Sequence, residues 1–312
     1  MDKPLVSVIC LCYNHKEFVI QAIESVLHQT YDNIELIVVD DASSDDSQRI
    51  IEKASEIHGF QVLFNEINQG NCKSFNLGFR ISKGKYLIDL AADDLLEPDR
   101  IKIGVELLEQ KGDAYGVHFC DVELLSVKGK RLGTQYKRDA YGKLIDFVPS
   151  EEIYSDLVER YFISAPSMMM SRKVLKELGG YDEKLTYEDF DFWVRSSRNY
   201  KYAFSDRVLV KKIILNNSLS SIQYQRKNKH ALSTAIICEK ILMLNENEKE
   251  NQALLKRINY ELKWALITEN WKASALFIQL KEKISSKNLR LSIEKFVVKI
   301  RPPWHPLWQA IL

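Results

Sequence analysis

The stretch Tyr86 to Asp99, Y-L-I-D-L-A-A-D-D-L-L-E-P-D, decides the fold class. Tyr86, Leu87, Ile88 and Leu90 form a short apolar run, as expected of a parallel strand buried on both faces. The run ends in two adjacent carboxylates, Asp93 and Asp94, and Pro98-Asp99 then opens a helix. Open α/β sheets bind ligands at the carboxyl ends of their strands, which is where this pair falls. Two neighbouring anions repel unless a cation or hydrogen-bond donors offset them. Oxygen-only ligands of this kind suit Mg2+ or Mn2+, which keep waters and share a substrate diphosphate. The plainer reading is a turn and a helix cap, and this stretch alone does not separate the two.

Working outward, the apolar runs Leu5–Leu11 and Ile34–Val39 are further buried strands. The first ends at Cys12-Tyr13-Asn14-His15, the second at another carboxylate pair, Asp40-Asp41. Residues 16–29 have helical periodicity, Ser43 to Asp45 cap a helix over 46–57, and Gln61–Phe64 is a short strand. A turn over 65–71 and a helix over 72–82 lead to the central strand. This β-α-β-α-β-α-β alternation predicts a mostly parallel sheet with right-handed crossovers and helices on both faces. The loops at Tyr13, Asp41 and Asp93 then converge on one crevice. Neither G-x-G-x-x-G nor G-x-x-x-x-G-K-[ST] is present, which disfavours a dinucleotide redox domain and a P-loop NTPase.

The 312 residues suit one large domain with an appendage, or two domains. Hydrophobic content of 46% and charged content of 28% are ordinary for a globular protein, and a net charge of +1 gives no case for nucleic acid as a partner. No apolar run is long enough for a membrane span, and Met1 to Pro4 lacks a signal-peptide layout. The five cysteines show no C-x-x-C, and the histidines no H-x-x-x-H, so reduced thiols of a cytoplasmic protein without a zinc site are expected.

Farther along, a helix is expected over 101–110, strand-like pieces over 115–125, and a hairpin or loop over 126–149. Residues 150–162 read as helical, and I-S-A-P-S-M-M-M (163–170) as a strand with Pro166 at its entry and its methionines filling core. Leu178-Gly179-Gly180 ends a helix by the glycine rule, and Thr186 is the expected cap of the next. Glu188 and Asp189 in that first turn suit the helix dipole, or equally a rigid carboxylate placed to take a proton.

In order and spacing these motifs match a known family. They comprise P-L-V-S-V-I (4–9) with Tyr13-Asn14; E-S-V-L (24–27) with Gln29-Thr30; V-D-D-A-S (39–43); Asn68-Gln69-Gly70; Gly84-Lys85-Tyr86; Asp93-Asp94 with Pro98; G-G-Y-D (179–182); and Glu188-Asp189 through Trp193 to Arg195. Over about the first two-thirds of its length the chain resembles the GT-A-fold, inverting glycosyltransferases of family 2, which use nucleotide-sugar donors. The resemblance implies that Tyr13 stacks on the nucleobase and Asp41 accepts from its ring N–H, which favours UDP. It places Asn14, Asn68, Gly70 and Asp93 in the nucleotide site and gives Asp93 and Asp94 the metal, Mn2+ or Mg2+. It makes Asp189, paired with Glu188, the general base. Arg195 is then either a support for the base's helix or a purely structural partner.

Two departures stand out. Ala91 replaces the first Asp of the family's D-x-D-D, leaving Asp93 and Asp94 to do that work alone. The family's Tyr-Arg-x-His before Ser-x-Ser is here Lys212 to Leu215 ahead of Ser218-Leu219-Ser220, so the resemblance supplies no third protein ligand. Lys211 or Lys212 could meet phosphate, or remain ordinary surface lysines.

The expected organisation is a GT-A domain over 1–222 and a helical region over 223–312, with helices at 229–244, 250–268, 270–284 and 289–300. The tail, with Lys295, Lys299, Arg301, Trp304 and Trp308, suits a membrane interface, packing on the helices or a dimer contact. The implied partners are a nucleotide-sugar donor and a glycan or lipid-linked acceptor, met in the cytoplasm or peripherally at the inner face of the cell membrane. A degenerate scaffold for glycan assembly is the alternative. A sugar nucleotidyltransferase would need a glycine-rich basic loop in place of residues 11–16.

Overall fold

A computed structural model describes residues 3–215, 225–285 and 289–303. By mutual contact the chain divides into two units: Met1–Ile153, Phe162–Lys184 and Asn199–Leu215 in the first, Tyr154–Tyr161, Leu185–Arg198 and Asn216–Leu312 in the second. The boundary expected at 222/223 and the Ser218-Leu219-Ser220 motif lie outside the described residues.

The first unit is built on a mixed sheet. Strands β1 (Val6–Cys12), β2 (Ile34–Asp40), β3 (Gln61–Phe64) and β4 (Tyr86–Ala91) are parallel, in the order β3-β2-β1-β4. Three helices, α1 (Val19–Leu27), α2 (Ser47–His58) and α3 (Asn71–Ile81), make the crossovers. Beyond β4 the sheet continues through strands at 94–96 and 201–214 that the sequence pattern did not resolve, and at 115–126 and 169–171, which it read in part. After β5 (Asp94–Leu96) and helix α4 (Arg100–Lys111) come the long β6 (Tyr115–Ser126) and its hairpin partner β7 (Arg131–Thr134). β8 (Met169–Ser171) runs antiparallel between β4 and β6, while β9 (Lys201–Ile214) pairs parallel with β6 and antiparallel with β5. The expected strand over 163–170 is corrected: Ala165–Ser167 is a 3-10 turn, and the strand begins only at Met169. Pro166 lacks the N–H a ladder needs, which shortens the strand from its N-terminal side. The three methionines are buried, as core filling requires.

Alternation along β1 explains the layering. Val6, Val8, Cys10 and Cys12 join Ile23, Val26, Ile51, Ile101 and Val105 in one core with α1, α2 and α4. Burying each such side chain is worth roughly 1.5–3 kcal/mol. The opposite face meets α3, whose Gly78 sits so close that an added Cβ would lie 2.6 Å from Ile9 Cγ2. All five cysteines are free and buried.

The second unit contains α5 (Tyr154–Glu159), α7 (Asp189–Ser197), α8 (His230–Leu244), α9 (Glu248–Ile267), α10 (Trp271–Ile284) and α11 (Leu289–Ile300); α6 (Arg172–Leu178) belongs to the first. The helix expected over 150–162 is thus only Tyr154–Glu159. Asn247 caps α9 by accepting from Glu250 N–H at 3.0 Å. No helix of the described residues is long and apolar enough to cross a membrane.

Two predictions follow from this packing. Gly84 N–H donates to Ser7 Oγ (2.8 Å) and Glu35 Oε1 (2.9 Å), and an added Cβ would lie 2.5 Å from Ser7 N and Oγ. Gly84→Ala is therefore expected to cost about 1–3 kcal/mol by overpacking, read as a lowered urea midpoint. In the second unit, burial pushes the Glu250 carboxyl up, but the Glu246 N–H and Arg198 outweigh it and hold it below its ordinary value of 4.5. A lowered carboxylate stabilises the fold fully above its unfolded pKa and loses that contribution as pH falls through the folded one. Glu250→Gln should be less stable than wild type at neutral pH, with the gap closing below pH 4.5 in a pH series of denaturation curves.

Candidate active site

In the first unit the carboxyl ends of β1, β2 and β4 are level. Cys12 pairs with Asp40 and Leu11 with Ala91. The ladder continues one residue past the strands, through Asp41 N–H to the Cys12 carbonyl (2.8 Å) and Ala92 N–H to the Leu11 carbonyl (2.9 Å). The loops bearing Tyr13, Asp41 and Asp93 therefore leave the sheet side by side.

Each polar residue of these loops has a definite task. Asn14, in the left-handed region at φ 57°, donates its N–H to Ser43 Oγ and accepts from Ser44 N–H, both at 2.8 Å. That ties the loop after β1 to the loop after β2 and leaves the Tyr13 ring half exposed at the rim. Asp40 turns back into its own loop, accepting from Ser43 N–H (2.9 Å) and Gln48 Nε2 (2.8 Å). Asp41 is buried and organises the turn ahead of α3. Its Oδ1 accepts from Asn65 Nδ2 (2.7 Å) and Gln69 N–H (2.8 Å), and its Oδ2 from Gly70 N–H (2.8 Å). Gly70, at φ 86°, makes the approach of its N–H to that carboxylate affordable to the backbone, and Asn68 stays exposed beside it.

Asp93 and Asp94 straddle the start of β5. Asp93 is half-buried, whereas Asp94 is 3% exposed and its Oδ1 is buried without a hydrogen-bond partner. Burial first and the Asp93 charge second push the Asp94 carboxyl well up from its ordinary range, against the opposing pull of Lys212. Lys212 is the cross-strand partner of Asp94 on β9, while Lys211 pairs with Glu97 at 2.6 Å. His15 faces the same place: its Nδ1 is buried, without a hydrogen-bond partner, and lies 3.9 Å from Asp93 Oδ1. Sequence reading passed over His15 and left Lys212 open, because their proximity arises from pairing between distant strands. A buried, unpartnered carboxylate oxygen beside a second carboxylate is the situation a divalent cation relieves. Mg2+-type sites use one or two carboxylates plus substrate phosphates, so the donor set fits. No cluster of three or more His, Cys, Asp or Glu suited to a metal occurs among the described residues.

Glu188, Asp189 and Arg195 belong to the second unit. Glu188 is buried and precedes α7, and Asp189 Oδ1 accepts from Phe190 N–H at 2.6 Å. The expected Thr186 cap is corrected: its N–H and hydroxyl both reach Ser233 Oγ at 3.0 Å on α8, which satisfies it without the helix terminus. Arg195 pairs with Asp191 at 2.7 Å, one turn apart, and Lys240 of α8 holds the other Asp191 oxygen at 2.6 Å. Tyr187 bonds Thr234 at 2.6 Å, Phe190 packs edge-on to Tyr161, and the Arg257 guanidinium lies 3.9 Å above that ring. The helix with the carboxylate pair is thus clamped by α8, α9 and α5.

A mixed α/β sheet with helices on both faces and a paired-carboxylate loop, in a chain that also carries a helical region, is an architecture of the GT-A type. Residues 7–179 match the sequence profile of glycosyl transferase family 2, and the chain belongs to that family. It is 33% identical over 239 residues to an uncharacterized glycosyltransferase of Methanocaldococcus jannaschii, a match covering 72% of this chain and 77% of that one. Against a relative from Rickettsia felis, 30% identical, the match spans 34% of that protein. The fold is also that of S. aureus TarS 1-349 solved with UDP-GlcNAc, at a TM-score of 0.70, 17% identity, and coverage of 95% of this chain and 88% of that one.

The clamp on α7 generates a prediction. Lys240→Met leaves one oxygen of a fully buried carboxylate without its cation and should cost about 1–3 kcal/mol. A denaturation midpoint equal to wild type would contradict the clamp.

Proposed function

We propose that the chain transfers a sugar from a nucleoside-diphosphate donor, UDP-sugar favoured, to a hydroxyl of a glycan or lipid-linked acceptor with inversion. The observation that carries this reading is Asp93 and Asp94 at the end of β4, one exposed enough to meet a ligand and one with a buried, unpartnered oxygen. Family membership supports the reaction type, and the UDP-GlcNAc bound to TarS supports a uridine nucleotide. A mannosyltransferase of Pyrobaculum calidifontis with the same kind of fold (TM-score 0.58, 14% identity, covering 99% of this chain and 84% of that one) was solved with GDP-Man and Mn2+, which supports a divalent metal.

In this reading Tyr13 stacks on the base at the rim. Asp41 accepts from the base's ring N–H. Asn14, Asn68 and Gly70 line the nucleotide, and Asp93 serves ribose and metal. Asp93 and Asp94 hold Mn2+ or Mg2+, which offsets charge on the departing diphosphate when bound. Asp189 takes the proton of the acceptor hydroxyl, with Glu188 beside it. The acceptor oxygen bonds to the anomeric carbon as the bond to the diphosphate breaks on the opposite side, which inverts that centre. Surface polysaccharide synthesis at the cytoplasmic face of the membrane is the setting this chemistry suits.

The test separates binding from chemistry. Asp189→Asn should retain donor affinity while the transfer rate falls roughly 10²–10⁴-fold, the usual worth of a general base. Wild-type turnover in that variant would remove Asp189 from the base role.

A further inference from the structure

The last helix of the described chain is amphipathic the wrong way round for a packed helix. On α11, Leu291 is buried and faces α10, and the same side carries Glu294 to Lys281 of α10 (2.7 Å) and Lys295 to Glu282 (2.6 Å). The helix is thus seated by buried Leu291, by half-buried Val298 on the same side, and by two ion pairs. Its large apolar residues point elsewhere: Leu289, Ile293, Phe296 and Ile300 are 78%, 54%, 61% and 53% exposed. At about 100° per residue these four fall within roughly 60° of one another, opposite Leu291. The result is a single stripe running the length of the helix, about 18 Å.

Charge indicates what covers the stripe. From residue 289 to 312 the sequence has Arg290, Lys295, Lys299 and Arg301 against a single carboxylate, Glu294. Arg290 and Glu294 pair with each other at 3.0 Å, Lys295 pairs with Glu282, and Lys299 and Arg301 have no carboxylate partner among the described residues. An apolar stripe edged by cations matches an anionic bilayer surface, where apolar side chains enter the headgroup boundary and cations meet lipid phosphates. A protein partner with an apolar groove would not call for that excess of positive charge. With no membrane-spanning helix among the described residues, the contact is interfacial. We propose that the Leu289–Ile300 face of α11 docks the chain on an anionic lipid bilayer. The proposal deepens the lipid-linked acceptor reading but does not need it, since docking involves neither donor nor acceptor.

Flotation of the full chain with vesicles tests it directly. Wild type should float with phosphatidylcholine–phosphatidylglycerol vesicles and much less with phosphatidylcholine alone. Lys299→Gln and Arg301→Gln should each lower partitioning roughly fivefold, the weight of one cation at such a surface. Ile293→Glu with Phe296→Glu should abolish flotation while the far-UV circular dichroism stays that of wild type, both positions being exposed. Failure to float with either vesicle, or flotation unchanged in the double variant, would overturn the proposal. So would a dimer in sedimentation equilibrium that dissociates in the double variant without any vesicle binding, since the face would then join two copies. None of these outcomes touches the donor-binding reading.

Discussion

Two backbone hydrogen bonds, Asp41 N–H to the Cys12 carbonyl and Ala92 N–H to the Leu11 carbonyl, keep the ends of three parallel strands level. Everything proposed for the nucleotide site depends on that alignment. Because the strands stop together, Asn14 can lace one loop to the next, Asp41 can gather the turn before α3, and Asp93 follows Ala92 at once. The sheet also fixes the electrostatics. Asp94 is drawn under β9, where burial and the neighbouring Asp93 disfavour its charge and Lys212 only partly restores it. A site that keeps a buried carboxylate oxygen unpartnered bears an energetic cost in the absence of a ligand, which is the kind of cost functional sites carry.

The helical region has a comparable internal logic. α7 carries Glu188 and Asp189 at its start and is gripped along its length, by Ser233 and Thr234 before it, Tyr161 and Arg257 at Phe190, and Lys240 with Arg195 at Asp191. Glu250 and Arg198 close the far end at 2.8 Å. These contacts hold the helix in one rotation, which the proton-accepting role proposed for Asp189 would need. Helices α8 and α9 therefore do more than fill volume: they fix the segment that the family motif Glu188-Asp189 depends on.

How much of this was legible beforehand follows from the range of the interactions. β1, β2, β3 and β4 are continuous apolar runs ended by polar residues, so local pattern placed them, and the four C-terminal helices were equally plain from periodicity. β5 was invisible because its three residues sit inside a loop motif, and β9 because charges at Asp206, Arg207, Lys211 and Lys212 interrupt its alternation. The run 163–170 misled because hydrophobicity alone cannot register the donor that Pro166 lacks. The family motifs singled out Tyr13, Asp41, Asp93 and Asp94 in the first unit and Asp189 in the second. The presence of His15 and Lys212 beside the carboxylates, and of Lys240 on Asp191, depends on tertiary pairing that no local signal carries.

The central claim is that Asp93 and Asp94 form a metal-assisted nucleotide site. Its most direct test is calorimetric titration of UDP into the full chain, with and without Mn2+, for wild type and Asp94→Asn. The account predicts binding that requires Mn2+ and weakens about tenfold or more in the variant. Binding of equal strength with and without metal, unchanged in Asp94→Asn, would contradict it.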